Sequence, residues 1–90
     1  MSEDFKAIYK ILSILQKSMD FEEPDMKKIS AENLGITRPR REALLRLLTK
    51  SGYIEGLEGI QITLKGLEYL EENSLMQKAA RLAKGIAEVL

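Results

Sequence analysis

The 90-residue chain contains no cysteine and no histidine. The first absence excludes disulfides and thiolate zinc sites; the second removes the commonest metal ligand and the commonest general base together. No apolar run approaches the roughly 20 residues needed to cross a bilayer. Met1 to Asp4 is acidic, and the apolar positions that follow are interrupted by Lys6 and Lys10, which is not the pattern of a secretory signal. No glycine-rich phosphate cradle and no nucleophile–base pair stands out. Asp20, Glu22, Glu23 and Asp25 cluster, but without the glycine and ligand spacing of a calcium loop. These absences predict a cytoplasmic protein that is not an enzyme, with no catalytic residues, no metal, no cofactor and no membrane partner.

What is present is an ordinary globular composition, 44% apolar and 31% charged. Ninety residues make one domain, small enough that every amphipathic face must contribute to a single core. Net charge is zero, yet its distribution is uneven. Residues 1–35 carry five lysines against seven acids, and residues 51–90 four basic groups against six acids. Residues 36–50 carry Arg38, Arg40, Arg41, Arg46 and Lys50 against Glu42 alone. Four of the five arginines therefore fall in one segment. A local basic patch on a neutral body supplies a directional phosphate contact without general stickiness; a merely solvated helix face is the bland equivalent.

That segment reads as a helix. Thr37 is a suitable N-cap, and Pro39 sits in the first turn, where amides have no helical partner. Leu44, Leu48 and Ser51 lie on one stripe with Leu45 and Leu47 beside it, and Gly52 stops the helix. The wheel turns Arg38, Glu42, Arg46 and Thr49 outward, with Pro39, Ala43 and Lys50 beside them. Arg40 and Arg41 fall nearer the inward side, in the first turn, where long side chains can snorkel out. Arg38 and Arg46 suit base edges, because a guanidinium pairs bidentately with guanine O6 and N7. Thr37, Arg40 and Lys50 suit phosphates.

Upstream, Ser2 caps a first helix, and Phe5, Ile8, Leu12, Leu15 and Met19 form its stripe, widened by Tyr9, Ile11 and Ile14. Residues 20–25, with Pro24, end it, and Phe21 is expected to plug the core. Residues 26–29 read as a brief edge strand. Ser30 caps a short helix over residues 31–34, with Asn33 as a weak capping-box partner, and Gly35 ends it. Downstream, residues 53–57 and 60–64 bracket Glu58-Gly59 as a hairpin, with Ile60, Ile62 and Leu64 alternating on its buried face. Thr63 caps a further helix in which Gly66 permits close packing. Residues 71–74 read as a break, with Ser74 as a new N-cap.

The last helix, residues 75–90, places Leu75, Ala79, Leu82, Ile86 and Val89 on a heptad seam. Met76, Ala80, Ala83, Ala87 and Leu90 form a second apolar row beside it. So wide a face wants neighbours on two sides. Both the protein's own core and a homodimer contact satisfy it. The organisation is thus a domain over residues 1–73 and a C-terminal helix over 74–90, packed on that domain or against a second copy.

The fold class is mainly α with a small β-hairpin, a winged helix-turn-helix with an added C-terminal helix. KISAENLGIT (28–37), SGYI (51–54) and ITLKGLEYLEEN (62–73) resemble winged-helix domains generally. The last phrase, followed by SLMQKA, resembles the YjcQ-type family of small bacterial and phage winged-helix proteins. That resemblance implies a fold and a bacterial or prophage setting, and little chemistry.

Two functional readings follow. The first is a transcription regulator that binds double-stranded DNA, reading the major groove with residues 37–51. The second is a protein–protein interaction module on the same scaffold without DNA binding. The hairpin and the apolar last helix favour the second, since residues 55–61 hold Glu55 and Glu58 and no basic residue.

Overall fold

A computed structural model describes residues 2–22, 25–56 and 59–84, with side chains as far as Ser74. Helix α1 spans Glu3–Lys17. The Ser2 hydroxyl accepts from the Phe5 amide, and Glu3 and Asp4 lie at the favourable pole of the helix dipole. Ala7, Ile8, Ile11, Leu12 and Leu15 are buried, so α1 supplies half of the ten buried apolar residues among those described. It packs against the three later helices, both 3-10 turns and the second hairpin strand, and Ile11 and Leu12 are wholly enclosed.

Helix α1 ends two residues before Met19, and a 3-10 turn follows at Ser18–Asp20. The tighter winding rotates Met19 off the apolar stripe. Phe21 is extended, with its amide spent on the Ser18 carbonyl. Both side chains lie on the surface, 63% and 66% exposed, so the expected plug at Phe21 does not form.

Met26–Ile29 is a 3-10 helix rather than the expected edge strand. The Asp25 carboxylate caps the Lys27 amide, and Lys28 N–H and Ser30 N–H return to Asp25 and Lys27 carbonyls. Amides that a third strand would have used are consumed locally. The three-residue spacing of Met26 and Ile29 also suits a 3-10 helix, where such residues share a side, and not a strand, where they oppose.

Helices α2 (Ala31–Leu34) and α3 (Arg38–Lys50) form the helix-turn-helix. Ser30 caps α2 through the Asn33 amide, but the Asn33 side chain reaches the Lys28 carbonyl and does not complete a capping box. Both helices end in the same way. Gly35 and Gly52 take φ of 71° and 84°. Ile36 N–H reaches Ala31 and Tyr53 N–H reaches Leu48, each the long bond of a Schellman motif.

The hairpin is shorter than the sequence predicts. Strand β1 is Ile54–Glu55, β2 is Gln61–Ile62, and they pair antiparallel with Ile54 opposite Ile62. Leu64 leaves the expected alternation because it begins helix α4 (Leu64–Lys84), and it is exposed. The Thr63 hydroxyl accepts from Gly66 N–H and donates to the Gly52 carbonyl at 2.5 Å, tying the start of α4 to the end of α3. Tyr53 and Tyr69 meet edge-to-face at 5.4 Å. Burial, with Tyr53 alongside, raises the Tyr69 phenol above its ordinary range.

The expected break at residues 71–74 is absent, and α4 runs through it. Glutamates favour helix, the stretch holds neither Gly nor Pro, and Asn73 donates back to the Tyr69 carbonyl, an in-helix bond at 2.9 Å. The boundary predicted after residue 73 therefore falls inside one helix. Ten residues past Ser74 extend α4 by about 15 Å.

Gly66 is the most closely packed of the described glycines. A Cβ there would meet the Tyr53 carbonyl oxygen and stand 2.6 Å from Ile62 Cγ1. Gly66→Ala should cost about 1–3 kcal/mol through overpacking, despite alanine's better helix propensity. Urea unfolding should show a lower midpoint with an unchanged slope; an unchanged midpoint would remove this packing account.

Candidate nucleic-acid interface

Helix α3 is seated by Leu44 and Leu48, 6% and 2% exposed, and its inward side is completed by half-buried Leu45. Thr37 Oγ1 accepts from Arg40 N–H, which caps the helix, and Pro39 occupies the first turn. The opposite side carries exposed Arg38, Glu42, Arg46, Thr49 and Lys50, so the outward set derived from the helical wheel is outward in the structure.

The arginines divide into two pairs. Arg40 donates to Asp4 of α1 at 2.5 Å, an ion pair between half-exposed side chains. A phosphate reaching Arg40 must compete with that carboxylate. Arg41 does not snorkel out. Its Nε donates to the Ile29 carbonyl at 2.6 Å and one terminal nitrogen pairs with Glu42 at 2.6 Å. Arg38 and Arg46 form no ion pair among the described residues.

Arg41 is the residue whose role the sequence hid. The carbonyl it satisfies ends the 3-10 helix, and that carbonyl needs a donor only because no third strand pairs there. The one visible signal was an arginine on the inward side of an otherwise apolar helix stripe. Lys65 is a second unforeseen group. Its ammonium donates to the Ser51 carbonyl at 3.0 Å and lies 4.9 Å from the centre of the Tyr53 ring. A cation there complements the C-terminal pole of α3 and locks that end to α4.

Thr49 Oγ1 donates to the Leu45 carbonyl within its own helix. Glu55 stands exposed on β1, beside α3, and Glu58 lies outside the described residues. Of the predicted dimer seam, Leu75, Ala79 and Leu82 fall within α4, with nothing described of their side chains, and Ile86 and Val89 lie outside the described residues.

A capped outward helix, two glycine-terminated turns and a two-stranded hairpin define a domain of winged-helix layout. A family model described as YjcQ protein matches residues 9–89. The chain belongs to the YjcQ family. Comparison with curated proteins and with solved structures returned no match. Among the described residues no helix is long and apolar enough to cross a membrane.

Arg41→Ala leaves the half-buried Ile29 carbonyl without its donor and should destabilise the fold by about 1–3 kcal/mol. Asp4→Asn removes an exposed pair and one favourable first-turn charge, and should cost about 1 kcal/mol or less. Parallel urea titrations check the order; equal losses in the two variants would refute the structural role of Arg41.

Proposed function

We propose that this protein is a small, non-enzymatic, cytoplasmic DNA-binding regulator in a bacterial or prophage setting, reading the major groove with α3. The observation that carries this reading is the exposure of Arg38 and Arg46 on the outward side of a rigidly seated helix, with no acid engaging either among the described residues. Eight residues apart on one helix, they span about 12 Å, comparable to the width of the major groove. Arg38 and Arg46 address base edges. Lys50, Thr37 and the first-turn amides address phosphates, as does Arg40 once it leaves Asp4. The winged-helix layout supports the reading by analogy only, since a fold hosts many functions.

Titration onto duplex DNA at several salt concentrations tests it. Log affinity should fall linearly with log salt. Arg38→Ala and Arg46→Ala should each weaken specific binding by about 1–3 kcal/mol, roughly 5- to 150-fold. Asp4→Asn frees Arg40 and should steepen the salt slope by about one phosphate contact. Absence of duplex binding at low salt would end this reading.

The reading includes a homodimer through residues 74–90, supported by the heptad spacing of Leu75, Ala79, Leu82, Ile86 and Val89 in the sequence. Two copies would present two α3 helices to successive half-sites. Light scattering should give a dimer mass for the intact chain and a monomer mass for Leu75→Asp/Leu82→Asp, with helical circular dichroism retained. A monomer mass for the unaltered chain would remove the dimer.

A further inference from the structure

A cleft of about 780 Å³ lies between α3 and the hairpin, beside the surface assigned to base reading. Half-buried Leu45 and Ile60 supply apolar surface to it above the buried Ile54, while Arg46 and Lys50 line it from α3. Glu42 also borders it, but its charge is answered by Arg41 at 2.6 Å. Glu55 borders it from the hairpin. The cleft thus has two cations on one wall, the single carboxylate of Glu55 on the other, and aliphatic surface between them. A duplex suits this poorly, since its only sizeable apolar group in the major groove is the thymine methyl, and its phosphates would meet Glu55.

We propose that this cleft docks an amphipathic helix of a partner protein, one whose apolar face carries a row of Asp or Glu along one flank only. Apolar anchors enter between Leu45 and Ile60, the acidic flank lies along Arg46 and Lys50, and the flank facing Glu55 is uncharged or basic. Helix-in-groove recognition of this kind takes its affinity from the anchors and its orientation from the flanking charges. Because Arg46 serves both surfaces, the docked helix excludes DNA from α3; that last consequence, unlike the docking itself, rests on the DNA reading. The partner is then an antagonist of DNA binding.

The probe is a fluorescein-labelled synthetic helix with a leucine face and glutamates on one flank, compared with the same peptide carrying lysines there. Anisotropy should report saturable binding of the glutamate peptide and at least about tenfold weaker binding of the lysine peptide. Arg46→Glu/Lys50→Glu, both exposed and remote from the core, should weaken the glutamate peptide at least about tenfold. Arg38→Glu lies outside the cleft and should leave peptide binding unchanged while abolishing any duplex binding, which separates this proposal from the DNA reading. Equal affinity for the two peptides, an undiminished double charge reversal, or no anisotropy change at millimolar protein overturns it.

Discussion

Burial of one broad face of α1 is the constraint from which the rest of the molecule follows. In a chain of this length no second core is available, so the helix that touches most others sets their positions. Ile11 and Leu12 are fully enclosed, and burying such side chains contributes about 1.5–3 kcal/mol each. Around that apolar contact, polar groups of α1 hold its neighbours in register. Asp4 meets Arg40 of α3, and the Lys10 ammonium donates to the Asn33 carbonyl at 2.8 Å, near the end of α2. The helix-turn-helix is therefore clamped from beneath at both of its helices.

With α3 seated on Leu44 and Leu48, its outward side is decided by geometry and its charge by competition. Four arginines sit on thirteen residues, and the fold uses two of them. Arg41 is tied to a missing strand: once residues 26–29 wind into a 3-10 helix, the Ile29 carbonyl needs a donor, and Arg41 reaches it. The guanidinium supplies the hydrogen bond that no strand supplies at Ile29. The charge left for a partner is narrower than the sequence count implies, and it is concentrated at Arg38, Arg46 and Lys50.

The two proposed surfaces share one helix but differ in chemistry. Arg38 lies toward the capped start of α3, where amides and a guanidinium suit phosphate and base edges. Lys50 lies toward its end, beside aliphatic side chains and the acidic hairpin. Arg46 belongs to both. An arrangement in which one residue is claimed by two partners is a physical basis for exclusion between them, with no conformational change required.

Local rules were enough to read several elements. Ser2, Ser30, Thr37 and Thr63 cap the helices assigned to them; Gly35 and Gly52 end two of those helices, and Gly66 lies where no Cβ fits. The outward set on α3 was legible for the same reason, since helical periodicity and a few leucines fix which side faces the core. Tertiary structure decided what depends on distant partners. Whether Arg40 and Arg41 stay free is settled by groups 36 and 12 positions away, whereas residues 26–29 and Phe21 are turned aside by 3-10 bonds that close within three residues. The continuity of α4 belongs to neither class cleanly: its glutamates favoured helix, and the Asn73 bond to Tyr69 turned an expected cap into one more helical turn. Sequence determines what a side chain does with its own turn of helix; only the packed chain determines which of the remaining charges are already spent.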